Sequence, residues 1–408
     1  MSEGTEVASA ADRRQAAMLA ALVALLVVGV GAVYKMDCGT SVENQYLRAC
    51  YSDIPPLYLI EGLDQGKVPY VDHPVEYPVL TGAQMWLVGG MADGPKDFFR
   101  LTVPLLALGA AVAAWLLARE IGLARALVFA ASPTLLLSGV LNWDLPSVAL
   151  AVAGVVAHRR GRDGWAGGWL GLGTAAKLWP GFLLLALVPA AWAARGQAAG
   201  VRTAVAAGGS WLAVNLPFMI VAWDGWWRFF GLSSERPIDW DPTWALLTRW
   251  TGWMPAIELV NVVSGVLFLV GGVVIVVATA RRLPPERWFH ALLPLLVWFL
   301  VTNKVYSPQF SLWLLPFMAL TFPGWGWVAA FGVADVAVTV TRFPHLGNFV
   351  VDGGIDGAWP WWPFGTALTV RYVVLIALTV VAWRRATRGS DPARVHPPDP
   401  AYGDRTLA

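Results

Sequence analysis

The sequence predicts an all-α integral membrane protein with about 12 transmembrane helices. Three observations predict it. Hydrophobic residues make up 57% of the 408, and charged residues only 14%, against roughly 25% in soluble domains. Apolar runs of spanning length recur along the whole chain. Many of the 24 tryptophans sit at the ends of those runs, as in the aromatic belts where a bilayer meets water. A soluble protein with an aromatic core is excluded, because no segment reads as a polar outer face. The net charge of +2 singles out no partner except the lipid bilayer itself, and nothing suggests nucleic acid.

The first apolar run, 16–34, follows Arg13 and Arg14 and lacks a small-residue cleavage site, so it reads as an uncleaved helix. Further spans are expected at 98–118, 126–141, 145–157, 165–178, 180–194, 203–223, 256–280, 288–302, 308–322, 325–341 and 364–383. The run 79–91 is too short to cross. If it lies on the membrane surface, the basic clusters at 13–14, 119–125, 159–162, 195–202, 281–287 and 384–388 all fall on one side. By the positive-inside rule that side is the cytoplasm, with both termini in it. The protein is then a multi-pass protein of the cell (inner) membrane. Residues 1–385 form the membrane domain, 35–97 a first outer loop with surface helices, and 386–408 a disordered cytoplasmic tail rich in Pro, Asp and Arg. The cytoplasmic connections carry no phosphate-cradling glycine loop.

Chemistry-bearing residues gather in the outer connections. "YSDIPPLY" holds Asp53 in a stiff, aromatic turn, where a carboxylate could serve as a general base or be a solvated loop residue. "PYVDHPVEYPVL" holds His73 and Glu76, which read equally as a loop-to-helix transition or as the lining of a sugar pocket. Asp144 in "NWDLP" either caps the helix that follows or accepts from sugar hydroxyls. Cys38 and Cys50, the only cysteines, lie in the first outer loop, either bridged or as free thiols. No compact His/Asp/Glu cluster suggests a metal site, and no cofactor is implied.

The cations are Lys177 in "AAKLWP", Lys304 in "NKVYSPQ" and Arg371 in the last helix. Ionisable groups at such depth point to function, against snorkelling for the lysines and, for Arg371, a structural pair with Asp335. If they converge they make a pocket for a lipid-borne phosphate. Tyr306 and Gln309 share the "NKVYSPQ" turn, whose broken backbone at membrane depth requires burial in protein or a cavity.

These motifs, with "NKVYSPQFSLWLLP" the strongest and "VEYPVL" next, resemble the family 87 glycosyltransferases, in order, from the first helix to about residue 320. The resemblance implies the C-type glycosyltransferase fold. It also implies a polyprenyl-phosphate sugar donor, commonly of mannose, and transfer to a glycolipid or polysaccharide acceptor outside the cytoplasmic membrane. The base of such enzymes lies just after the first helix, a role that falls on Asp53. Lys177, Lys304, Tyr306 and Gln309 fall on motif positions near the donor pocket. The family usually has "EYPPL" where this chain has "EYPVL", and the "SSERPIDWDP" loop matches nothing familiar, which leaves the acceptor open. The rival reading is a polytopic transporter or flippase of lipid-linked sugar. Such a protein more often has two related halves, and none are found here.

Overall fold

The computed structural model describes residues 10–38 and 41–389, apart from the side chain of Asp37. Among these residues every regular element is a helix, and the one extended pairing is a Pro69–His73 bridge. The last helix, Trp361–Thr387, runs slightly past the expected domain boundary. The expected disordered tail lies almost wholly outside the described residues.

Six helices are long and apolar enough to cross a membrane: Ala10–Met36, Pro95–Ile121, Gln197–Val221, Ile257–Ala280, Trp325–Leu346 and Trp361–Thr387. They match six of the expected spans, and the protein is a multi-pass membrane protein. The other six expected spans form shorter pieces. The run 126–141 breaks at Ser132-Pro133 into Leu123–Ala130 and Pro133–Ser138. The run 180–194 divides into Trp179–Phe182 and Leu184–Arg195, and the rest become Leu145–Arg159, Asp163–Ala176, Leu292–Thr302 and Ser311–Thr321. At about 1.5 Å per residue, a helix of this kind falls short of a ~30 Å hydrocarbon layer on its own. Hydropathy registers the apolar composition of such a run but not the proline that interrupts it.

Burial separates the two groups. Every residue of Ser311–Thr321 is buried, whereas the spanning windows of Gln197–Val221 and Ile257–Ala280 are only 11% and 17% buried. Ser311–Thr321 therefore lies in the centre, while Gln197–Val221 and Ile257–Ala280 turn apolar faces outward. Close approach is made possible by glycine. A Cβ at Gly167 or Gly171 would lie 2.1 Å from the Thr203 carbonyl oxygen and 2.2 Å from that of Ala207, respectively.

The basic clusters from 119 onward, distant in sequence, meet at one end of the bundle. Arg159 and Arg160 pair with Glu120, and Arg195 with Asp163. Arg125 lies over Phe322, and Arg287 donates to the Ala386 carbonyl. The opposite end carries the segment 41–94, where Val42–Leu47, Ile54–Ile60 and Val79–Gly89 are helical. Val79–Gly89 has only 11 residues and is docked by Thr81, whose hydroxyl donates to the Ala176 carbonyl at 2.7 Å. Cys38 and Cys50 form a disulfide that ties the end of the first helix to the approach to Asp53.

Candidate active site

Asp53 is the N-cap of Ile54–Ile60 yet makes no side-chain cap hydrogen bond. An N-cap carboxylate accepts from the N–H of the second or third helical residue. Here those residues are Pro55 and Pro56, which have no N–H. The carboxylate is left to find partners elsewhere, while the backbone is fixed by the Asp53 N–H donating to the Leu141 carbonyl at 2.9 Å and the Ser52 hydroxyl to that of Val140 at 2.8 Å.

The partner found is Asn142. Its Nδ2 donates to Asp53 Oδ2 at 2.7 Å and also to the Tyr77 hydroxyl at 2.8 Å. Its Oδ1 accepts from Lys177 Nζ at 3.0 Å and from the Trp143 N–H at 2.7 Å. The Lys177 ammonium lies 4.9 Å from the Tyr77 ring centre and 3.6 Å from Asp144 Oδ2. Asp144 is fully buried and makes no side-chain cap, so the capping reading fails. Its Oδ1 accepts from Trp313 Nε1 at 2.8 Å. Asp53 and Lys177 are both part-exposed, so this cluster is open to a ligand. The Tyr51 hydroxyl is within hydrogen-bonding reach of Asp53. Lys35, Arg342, Tyr46, Tyr77 and Asp144 also interact with it electrostatically.

The other expected cations lie apart from this pair. Arg371 is no free outward cation: it is fully buried, with Nη2 3.6 Å from Asp241 Oδ2 and Nη1 3.5 Å from Asp335 Oδ1. Its guanidinium carbon sits 3.9 Å from the centre of the Tyr306 ring. A buried charge must be paired, and the Asp335 alternative is the one realised. Asp335 also accepts from Thr134 at 2.8 Å and Ser311 at 2.6 Å. Tyr306 is fully buried and hydrogen-bonded to Ser311 at 3.0 Å. Gln309 is buried, with its Oε1 lacking a hydrogen-bond partner. Lys304 is turned to the Ser234 carbonyl, 3.0 Å away. In the broken turn Lys304, Tyr306, Pro308 and Gln309 are buried, and Asn303, Val305 and Ser307 half-buried.

Arg342 was missed by sequence reasoning. It bonds to Asp241, lies 3.5 Å from Asp239, and connects this buried network to Asp53. The Lys304 carbonyl accepts from the Asp239 N–H at 3.0 Å, so the "NKVYSPQ" turn adjoins the same end of the bundle.

His73 and Glu76 do not reach Asp53. His73 Nε2 lies 3.2 Å from Glu61 Oε2, without hydrogen-bond geometry. Glu61 is 2% exposed. Burial, and then the nearby Glu76 charge, push its carboxyl up to about 7. Burial and then Lys67 hold His73 below its usual value. Glu76 itself is exposed. Among the described residues no group of three or more His, Cys, Asp or Glu could hold a metal ion.

A multi-pass membrane protein whose bundle end couples an uncapped carboxylate to a fixed lysine has the parts of a membrane-bound group-transfer enzyme. The chain belongs to glycosyltransferase family 87, whose model matches residues 77–303, more than half of its length. That family membership makes it a membrane glycosyltransferase. No curated protein matches. Among solved structures it is similar to the crystal structure of ArnT from Cupriavidus metallidurans bound to undecaprenyl phosphate, with 14% identity over 91% of this chain and 77% of that one, at a TM-score of 0.45.

Proposed function

We propose that the protein is an inverting glycosyltransferase that moves a hexose, mannose by preference, from a polyprenyl-phosphate sugar to an envelope glycolipid or polysaccharide. Transfer takes place on the outer face of the cytoplasmic membrane, with both termini inside. The observation that carries this reading is the Asp53–Asn142–Lys177 relay, in which a carboxylate and an ammonium are held by one amide. Support also comes from the family, and from those basic clusters that gather at the end of the bundle opposite the relay. Nucleotide sugars are absent outside the membrane, so an activated sugar there must be lipid-borne.

Asp53 takes the proton from an acceptor hydroxyl as that oxygen bonds to the anomeric carbon. The bond from that carbon to the phosphate oxygen breaks, and the phosphate leaves with the electron pair. One displacement inverts the centre. Lys177 holds the growing charge on the phosphate, and Arg342, which bonds to Asp241 and interacts electrostatically with Asp53, adds a second positive charge to this end of the bundle. The phosphate is already a stable anion, so no separate acid is needed. Asp144 holds Lys177 in place, while His73 and Glu76 border the acceptor side.

The experiment is a proteoliposome assay with radiolabelled polyprenyl-phosphate mannose and envelope lipids. Label passing to a second lipid or polysaccharide supports the reading. Donor that crosses the bilayer with its glycosidic bond intact means a flippase.

A further inference from the structure

The first helix buries a stripe made of Ala17, Ala20, Ala24, Val28 and Ala32. The next position on that stripe is Lys35, where helical spacing calls for another small apolar residue. Its neighbours Tyr34 and Met36 are 40% and 38% exposed, while Lys35 is 4% exposed. The lysine therefore turns inward although water or headgroups lie within a residue of it. Burying an ammonium costs several kcal/mol unless it is paired. Its partners are the Tyr51 carbonyl, which accepts from Nζ, and the charge of Asp53.

Holding the chain does not explain this lysine. The same segment is already tied to the first helix by the Cys38–Cys50 disulfide and by the Tyr34 hydroxyl donating to the Arg48 carbonyl. On its other side it is tied to residues 140–142 through Ser52, Asp53 and Asn142. What Lys35 adds is a buried amine that holds the Tyr51 carbonyl, two residues from the carboxylate, and that interacts electrostatically with Asp53.

We propose that Lys35 is a positioning residue for Asp53. It orients the carboxylate by its hydrogen bond to the Tyr51 carbonyl and by its attraction to the Asp53 side chain. This role rests on the glycosyl-transfer reading above.

The test compares wild type, Lys35→Met, Lys35→Gln and Lys35→Arg in the same proteoliposome assay, with melting temperatures measured in detergent. Lys35→Gln keeps a donor for the Tyr51 carbonyl and removes the charge, and it decides the matter if Lys35→Met does not fold. The expected result is an apparent kcat about 10- to 100-fold lower in Gln and Met, an unchanged donor KM, and partial recovery in Arg. Wild-type kcat in Lys35→Gln overturns the proposal. So does a raised donor KM with kcat intact, which would place Lys35 on the donor itself. A wild-type protein that transfers no sugar overturns the underlying reading, and the role of Lys35 with it.

Discussion

Asp53 and Lys177 stand one amide apart: the Asn142 side chain donates to the first at 2.7 Å and accepts from the second at 3.0 Å. Neither charged group touches the other. A substrate can therefore lie across Asn142, with its hydroxyl at one end and its phosphate at the other.

Asn142→Leu removes both contacts and the bond to the Tyr77 hydroxyl while keeping the volume. Transfer should fall about 100-fold, the usual cost of misplacing reacting groups. Asn142→Asp should be worse than Leu, because it adds a third carboxylate between Asp53 and Asp144. Steady-state kinetics of the two variants would settle the order.

Lys177→Met strands the fully buried Asp144 with Trp313 as its remaining partner. Breaking such a pair should cost about 3 kcal/mol of stability and most of the activity. The double variant Lys177→Met/Asp144→Leu should regain stability and stay inactive. Denaturation and transfer assays on the same preparations separate the two effects.

Arg371→Leu leaves Asp335 a buried charge with only the Thr134 and Ser311 hydroxyls, and Asp241 with Arg342 as its one remaining cation. The expected result is a loss of about 3–5 kcal/mol, with donor KM unchanged in whatever protein remains folded. A raised donor KM at normal stability would return Arg371 to the phosphate pocket.

Glu61 gives a pH dependence. Its carboxyl is raised from 4.5 to about 7 in the folded protein, so the folded state keeps its proton where the unfolded chain has lost it. Stability from this group is then full below about pH 4.5 and lost as pH rises toward 7, by roughly 2–3 kcal/mol. His73 acts in the opposite sense: held below its usual value, it favours folding as pH rises, and Lys67 and Glu76 face the same pair. Glu61→Gln should remove the carboxylate's share, so its melting temperature should fall less than that of wild type between pH 5 and 7.5.

The membrane class was legible because composition and run length alone impose it. Asp53 was legible as an acid in a stiff turn just after the first helix; that the turn opens a helix whose Pro55 and Pro56 delete the N–H groups it could cap emerged only from the structure. Lys177 showed as a cation ending an apolar helix, and the Arg371–Asp335 pair was a weighed alternative. Asn142 and Tyr77 were hidden, since a neutral amide and a loop tyrosine carry no signal until residues 53, 77, 142 and 177 are brought together. Lys35 looked like the polar end of a span. Trp313 lay inside "NKVYSPQFSLWLLP" and was given no role of its own. Arg342 looked like the start of a loop, and its partners Asp239 and Asp241 lie in the "SSERPIDWDP" segment that matched no known motif.

The most direct measurement is the turnover of Asp53→Asn with polyprenyl-phosphate mannose and envelope lipids, at a melting temperature equal to wild type. Asparagine preserves the shape and removes the base, so kcat should fall by about 10²–10⁴-fold with donor KM little changed. Turnover near that of wild type would contradict the account at its centre.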